Sequence, residues 1–85
     1  MANFDLRIKL SAVKELEDLQ AKDRRRTVIR IQNLAEEPRP RGCEKLSGRD
    51  RYRLRQGDFR ILFEVDDDAQ TVTVVKIGHR RDVYR

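Results

Sequence analysis

The fold is decided by residues 52–65, YRLRQGDFRILFEV, in which side-chain character alternates on both sides of a short polar turn. The tyrosine and the leucine share one face of the first strand, and Arg53 and Arg55 share the other, because successive side chains of a strand point to opposite faces. Residues 56–58 have the composition of a tight turn. The segment therefore predicts a β-hairpin whose second strand, residues 59–65, also has one apolar face.

The residues before this hairpin predict a strand followed by two helices. Residues 3–10 alternate between apolar and polar side chains, as a half-buried strand does. Apolar residues then recur at helical spacing in two segments, with Ser11 and Asp23 as the expected N-caps, and the second helix has to end before Pro38. Residues 36–50 contain both prolines and are expected to form a loop.

After the hairpin, a polar turn at residues 66–68 leads into residues 71–77, TVTVVKI, a strand rich in β-branched residues. The element order is therefore β-α-α-β-β-β. We expect one small α+β domain over residues 1–85, with a helical hairpin on one face of a mostly antiparallel four-stranded sheet. Because helices cover a single face, the opposite face should be partly open, and function should be sought there.

Composition narrows the class of protein. The chain has 85 residues, with 20 Lys or Arg against 15 Asp or Glu and a net charge of +5. Leu, Ile, Val and Phe account for 23 of the 85 residues, above the ~20% level below which chains tend to stay disordered. A folded domain with a thin core is therefore expected, and a chain this short gains stability from a partner.

Several kinds of site and location are excluded by the same counts. Cys43 and His79 are each the single residue of their type, which rules out an internal disulfide or a Cys/His zinc site within one chain. No stretch approaches the roughly 18 apolar residues of a membrane span, and the first residues lack a signal-peptide core. We expect a cytoplasmic protein that needs neither a metal nor another cofactor and does not bind a membrane.

Basic residues concentrate in residues 45–60, where six basic side chains accompany two acidic ones. If the hairpin is in register, Arg60 lies beside Arg53 and Arg55 on the open face. Like charges that close repel one another unless an anion or an acidic partner binds between them. The alternative interpretation is a solvated face or an edge strand protected by charge, and it explains Arg60 less well because that strand should be internal.

Arginine outnumbers lysine by 15 to 5. The planar guanidinium group binds phosphate in two places at once, so this bias favours a nucleic acid or an acidic protein as the partner. A genome whose composition favours arginine codons would produce the same ratio, and this second explanation stays open on composition alone.

The C-terminal residues 79–85 add positive charge and one aromatic ring. A frayed tail is the ordinary expectation for a chain end, yet Val83 and Tyr84 are unusual choices for a solvated one. Gly78 directly follows a strand, which suits a chain that turns back over the sheet. His79 is of interest because imidazole is the side chain that titrates near neutral pH.

Four motifs in the second half of the chain resemble the RelE branch of the RelE/ParE toxin superfamily. They are Lys45-Leu46-Ser47-Gly48, Tyr52-Arg53-Leu54-Arg55, Gly57-Asp58-Phe59-Arg60 and His79-Arg80-Arg81-Asp82-Val83-Tyr84. The first half is similar as well, with a strand, a helical hairpin and Pro38-Arg39 before the loop. The resemblance implies a toxin that cleaves messenger RNA in the ribosomal A site, through attack by the RNA's own 2′-hydroxyl, leaving a 2′,3′-cyclic phosphate and a 5′-hydroxyl.

The resemblance also implies roles for individual residues. The implied phosphate-binding residues are Arg53 and Arg55, with Lys45 and Arg51 beside them, and the implied catalytic residues are Arg60, Arg80 (Arg81 being the register alternative) and Tyr84. Arginine does not readily lose a proton at neutral pH, so we hypothesise that His79, solvent or a ribosomal group carries out proton transfer.

The implied partners are a RelB-type antitoxin, in a toxin–antitoxin hetero-oligomer, and the ribosome with its mRNA. Candidate contacts to ribosomal RNA are four arginines of the second helix, Arg24, Arg25, Arg26 and Arg30. Two other functions stay open: a ParE-like inhibitor of DNA gyrase, which shares the fold, and a non-catalytic module that binds RNA or an antitoxin.

Overall fold

Five strands and two helices make up the fold in a computed structural model that describes residues 3–46 and 50–83. The elements are β1 (Asp5–Ile8), α1 (Leu10–Glu17), α2 (Ala21–Asn33), β2 (Cys43–Lys45), β3 (Arg51–Gln56), β4 (Phe59–Asp66) and β5 (Thr71–His79). The predicted α+β class, with two helices on a mostly antiparallel sheet, is confirmed. Neither helix in these ranges has the length and apolar character needed to cross a lipid bilayer.

The strands form one mixed sheet in the order β1-β5-β4-β3-β2. β1 pairs with β5 in parallel, and the other neighbours pair antiparallel. The prediction of four strands was wrong by one, because β2 lies inside the segment 36–50 that was expected to be a loop. β2 has three residues, none of them fully buried, so this short edge strand carries almost no hydrophobic alternation.

The core lies between the helices and one face of the sheet. Alternate residues of the three longest strands point toward the helices and pack against Ala12, Ile31 and Leu34. The sheet contributes Tyr52, Leu54, Ile61, Phe63, Val65, Val72, Val74 and Ile77. Each fully buried aliphatic or aromatic side chain contributes about 1.5–3 kcal/mol. Arg53, Arg55 and Arg60 alternate with these core residues along their strands, so they lie on the face of the sheet that points away from the helical layer.

The β3–β4 hairpin has the register that places its arginines together. Arg55 is the cross-strand partner of Arg60, and Leu54 is the partner of Ile61. Gly57, the first of the two turn residues, has a φ of 58°, which costs an L-residue about 1–2 kcal/mol and which two-residue hairpin turns require. The predicted juxtaposition of Arg60 and Arg55 on the open face is confirmed.

The helix starts differ from those predicted. α1 begins at Leu10, so Ser11 lies within its first turn, and α2 begins at Ala21, so Asp23 lies within its own first turn. Neither helix has an N-cap side chain that makes a hydrogen bond, and a search for capping side chains therefore placed both starts too late. Asp23 instead puts a negative charge near the positive end of the helix dipole.

A register shift interrupts the β4–β5 ladder between Leu62 and Phe63. The backbone N–H of Ile77, next to this irregularity, donates to Glu15 Oε1 of α1 at 3.1 Å. A buried strand amide left without a partner would cost about 1–3 kcal/mol. The carboxylate of α1 satisfies it and ties the helix to β5.

Candidate functional site

Four arginines lie around the end of the sheet where β3 turns into β4 and where β5 ends. On β5, Gly78 is the cross-strand partner of Arg60. Just beyond β5, the backbone N–H of Arg80 donates to the carbonyl oxygen of Asp58, in the β3–β4 turn, at 2.8 Å. We call these residues the arginine cluster: Arg55, Arg60, Arg80 and Arg81.

No ion pair neutralises the arginine cluster in the part of the chain that the structure describes. Within residues 3–46 and 50–83, none of its four guanidinium groups takes part in an ion pair. Arg60 instead donates to the carbonyl oxygens of Gly57 and Phe59, at 3.2 and 2.9 Å. A phosphate group placed here would compete with these carbonyl contacts of Arg60 and not with an ion-paired carboxylate.

Three other predicted phosphate-binding residues do have acidic partners. They are Lys45 with Asp50 at 3.8 Å, Arg51 with Glu64 at 2.8 Å, and Arg53 with Glu44. Both glutamates are the cross-strand partners of the arginines that they neutralise. The basic residues along most of the hairpin are therefore ion-paired, whereas Arg55 and Arg60 at the turn form no ion pair within the described residues.

Residues 80–83, which we call the C-terminal segment, turn back over the sheet. Val83 is 2% exposed and packs over Gly78, where an added Cβ would lie 3.4 Å from the Cβ of the valine. The backbone N–H groups of Asp82 and Val83 donate to the carbonyl oxygen of His79, at 2.8 and 3.0 Å. The interpretation of a returning chain end is confirmed, and the turn keeps the last two cluster arginines at the edge of the open face.

His79 lies on the side of the sheet opposite to Arg55 and Arg60. It is the cross-strand partner of Phe59, and the two rings meet edge to face with centroids 5.9 Å apart. Its Nδ1 accepts the backbone N–H of Arg81 at 3.2 Å. An Nδ1 that accepts leaves the proton of the neutral ring on Nε2, so His79 presents a hydrogen-bond donor.

The four α2 arginines predicted to contact ribosomal RNA divide into two pairs. Arg24 donates to a backbone carbonyl in the loop after α1 at 3.1 Å, and Arg30 donates to the backbone carbonyl of Arg55 at 3.3 Å. Arg25 and Arg26 are exposed. Arg24 and Arg30 thus help to hold the helix in place, whereas the exposed Arg25 and Arg26 are available to a partner.

A second charged group lies at the opposite end of the sheet. Arg39 donates to both carboxylate oxygens of Asp67, at 3.0 and 2.7 Å, and to the hydroxyl of Tyr52 at 2.8 Å. The hydrogen bond from Arg39 holds the pKa of Asp67 below its usual value, and the same bond raises the pKa of the arginine. This group joins the loop after α2 to the β4–β5 turn and is distant from the arginine cluster.

Two parts of the expected site lie outside the described residues. They are Tyr84, expected to contact the RNA base or the 2′-hydroxyl, and the Ser47-Gly48 part of the first motif. The role of Tyr84 stays a prediction from the resemblance.

The chain matches a known toxin family over nearly all of its length. Residues 6–84 fit the sequence pattern described as the ParE toxin of type II toxin–antitoxin systems. The chain belongs to the RelE/ParE toxin superfamily. This toxin superimposes on a chain of the archaeal RelE–RelB complex from Pyrococcus horikoshii OT3 with a TM-score of 0.81 and 27% identity, over 98% of this chain and 100% of that one.

Two further relatives agree with this assignment. The isolated E. coli RelE toxin superimposes on this toxin with a TM-score of 0.78 and 25% identity, over 89% of this chain and 83% of that one. The toxin RelG of Mycobacterium tuberculosis is 38% identical over 34 residues, which are 40% of this chain and 39% of RelG. The toxin is therefore of the RelBE type.

Sequence reasoning missed the glutamates that neutralise part of the toxin's open face. The signal for Glu64 was present, because counting outward from the two-residue turn pairs residue 56 with 59 and hence Arg51 with Glu64. No comparable signal existed for Glu44, since its strand was not predicted. The charge of the site is consequently more localised than the composition of residues 45–60 indicated.

Proposed function

We propose that this toxin is a ribosome-dependent endoribonuclease that cuts mRNA in the ribosomal A site. The observation that carries the proposal is the cross-strand pair of Arg55 and Arg60, two cations with no acidic partner in the described parts of the chain. Such a pair destabilises the free protein and suits a phosphate ligand. The similarity to RelE structures over most of the chain supports the same function.

The proposed reaction needs stabilisation of charge more than covalent chemistry from the protein. The 2′-oxygen attacks the adjacent phosphorus, so that the O2′–P bond forms while the P–O5′ bond breaks. The 2′-hydroxyl loses its proton and the 5′-oxygen gains one. Negative charge grows on the pentavalent phosphorus in between, where Arg60 and Arg80 stabilise it. One preorganised donor of this kind contributes about 10²–10³-fold in rate.

Proton transfer is the step that the arginine cluster does not supply, because guanidinium groups stay protonated. In the proposed mechanism Arg53 and Arg55 hold the RNA backbone, and Tyr84 stacks on a base or hydrogen-bonds the 2′-hydroxyl. The bond from Arg81 to Nδ1 of His79 favours solvent or a ribosomal group, among the three candidates, for the proton.

The second part of the proposal is neutralisation by a RelB-type antitoxin. A chain of this fold occurs in the P. horikoshii RelE–RelB complex. The uncompensated cluster attracts an acidic segment. Two large apolar side chains of the helical hairpin, Leu10 and Ile29, are 71% and 56% exposed, and they offer apolar contact to the same partner. A segment that is disordered alone would fold on these surfaces.

Cleavage of mRNA on programmed ribosomes in vitro tests the nuclease proposal. Arg60→Ala should cut about 10²–10³-fold more slowly than the wild type, and Tyr84→Ala should also cut more slowly. Arg7→Ala is the matched control, since Arg7 is an exposed arginine on the distant edge strand and is ion-paired with Asp5 at 3.5 Å. Equal cutting by wild type, Arg60→Ala and Tyr84→Ala would refute the proposed site.

A ParE-like gyrase inhibitor is the second candidate, since the matching family pattern carries the ParE description. Induction of the toxin in cells, followed by mapping of mRNA ends, separates the two. Cuts at a fixed codon position support the nuclease. Intact mRNA with broken or arrested DNA supports the gyrase inhibitor, and the absence of both effects supports a module that only binds RNA or an antitoxin.

A further inference from the structure

We propose that His79 is a positioning residue that fixes the C-terminal segment against the arginine cluster, and that it does not transfer the proton of the reaction. The proposal rests on the nuclease function above and assigns this histidine a role within it. It follows from where the imidazole lies and from which of its nitrogens is engaged.

Besides the bonds from the N–H groups of Asp82 and Val83 to the carbonyl oxygen of His79, three further contacts among the described residues help to hold the C-terminal segment in place. The backbone N–H of Arg80 bonds to the Asp58 carbonyl oxygen at 2.8 Å, the N–H of Arg81 bonds to Nδ1 of His79 at 3.2 Å, and Val83 packs over Gly78. The first and third contacts involve backbone and apolar atoms. The second is the one contact of the three that depends on a polar side chain, and it acts on the residue between the other two anchors.

The orientation of the ring argues against proton transfer. His79 is paired with Phe59 across the strands and contacts its ring, so the imidazole lies on the side of the sheet away from Arg60. The nitrogen able to accept a proton in the neutral ring already accepts the N–H of Arg81. While it accepts that N–H, this nitrogen is not available to take a proton from the 2′-hydroxyl, so the observed contact and action as a base exclude each other.

The geometry of this contact is one that asparagine reproduces. The bond joins a side-chain acceptor to the backbone N–H two residues later, the same spacing that Asn and Asp side chains use in Asx turns. An asparagine amide accepts this N–H and cannot act as a base near neutral pH. His79→Asn therefore retains positioning and removes proton transfer, whereas His79→Ala removes both.

Cleavage of programmed ribosomes by the three proteins separates the two roles. If His79 positions the segment, His79→Asn should cut within about threefold of the wild type and keep its pH profile. His79→Ala should lose at least about tenfold, because a displacement of about 1 Å in a catalytic group costs up to 10²-fold. A His79→Asn variant that loses about 10²–10⁴-fold, together with a limb of the pH profile, would overturn the proposal.

Hydrogen exchange of the backbone amides of Arg81 and Val83 in the isolated toxin supplies a readout that needs no activity. His79→Ala should exchange faster than the wild type at both amides, and His79→Asn should match the wild type. Equal protection in all three proteins would overturn the positioning role. If these protection differences appear but the wild type cuts no RNA, the nuclease proposal fails while the structural role of His79 stands.

A variant at the apolar anchor checks that the segment acts as a unit. Val83→Ala removes packing over Gly78 without touching the imidazole, and it should raise exchange at the Arg81 amide and lower cleavage in the same direction as His79→Ala. Unchanged exchange at Arg81 in Val83→Ala would show that the anchors are independent, and it would contradict the proposal. Thermal unfolding confirms that each variant is folded before comparison.

Discussion

Replacement of Arg55 by glutamine should make the toxin more stable while it weakens cleavage. Arg55 stands directly opposite Arg60 in the β3–β4 ladder, where Cβ atoms of opposed residues are about 4.5–5.5 Å apart. Like charges in this arrangement destabilise a sheet. Glutamine keeps a long polar side chain on the strand and removes one of the two charges.

The size of the effect follows from the separation of the two charges. Two unit charges about 5 Å apart, the Cβ separation, repel by about 0.8 kcal/mol in a water-like dielectric, and this is an upper value because guanidinium groups can lie farther apart than their Cβ atoms. The side chain of Arg55 is exposed and can lean away from its neighbour, so the relief should be about 0.3–0.8 kcal/mol. This raises the Tm of a domain of this size by roughly 1–6 °C. A lost charge-assisted bond to phosphate costs about 1.5–3 kcal/mol, which is about a 10–150-fold loss of cleavage.

Thermal unfolding followed by circular dichroism, at 10 mM and at 1 M salt, measures the stability part. The screening length is about 30 Å at the lower salt concentration and about 3 Å at the higher one. The gain in Tm of Arg55→Gln over the wild type should therefore be clear at 10 mM salt and nearly absent at 1 M. Arg7→Gln is the matched control, because it breaks an ion pair and should give no gain.

Two results would refute this reasoning. The first is an Arg55→Gln variant no more stable than the wild type at 10 mM salt, which would mean that the two guanidinium groups do not repel measurably. The second is a gain in Tm that is the same at both salt concentrations, which would assign the effect to strand propensity instead of charge.

Three further changes act on packing, titration and backbone conformation, and each is checked by urea unfolding. Phe63→Ala should lower the free energy of unfolding by about 3–5 kcal/mol, because Phe63 is 0% exposed. Arg39 lowers the pKa of Asp67, so this contact stabilises the fold above the unfolded carboxyl pKa of about 3.9 and is lost as the pH falls through the lower folded value. Asp67→Asn should be less stable than the wild type at pH 7 and equal to it near pH 2. Gly57→Ala should cost about 1–2 kcal/mol, since Gly57 has a φ of 58°.

The hairpin and its arginine pair could be predicted from the sequence because two local rules fix them together. Alternation assigns each residue of 52–65 to a face. The turn was expected at residues 56–58 and lies at residues 57 and 58, and a two-residue turn fixes every cross-strand partner by counting. Alternation along β5 places the side chain of His79 on the same face as that of Ile77, toward the helices. The resemblance assigned His79 to the toxin tail and drew attention away from this alternation. The hairpin and the place of the candidate site are thus consequences of short-range pattern.

The remaining features depend on contacts between residues far apart in the chain. The bond from Arg39 to Asp67 joins two loops that share no periodicity. β2 gains its place from pairing with β3 and not from its own three side chains. Glu15 accepts from Ile77 only because the β4–β5 ladder is irregular there. In each case the partner is chosen by the tertiary fold, so the pattern of either residue alone contains no sign of it.

The residue that stands opposite each arginine of the open face is acidic at one end of the hairpin and basic at the other. Arg51 faces Glu64, whereas four residues later Arg55 faces another arginine. Within the described residues, this face therefore has an electric dipole parallel to its strands in addition to its net charge. A field that varies along the surface turns an approaching polyanion as well as attracting it. If RNA binds this face as proposed, its strand would be rotated toward the turn end before contact, so the arrangement of the charges sets the angle of approach separately from the strength of binding.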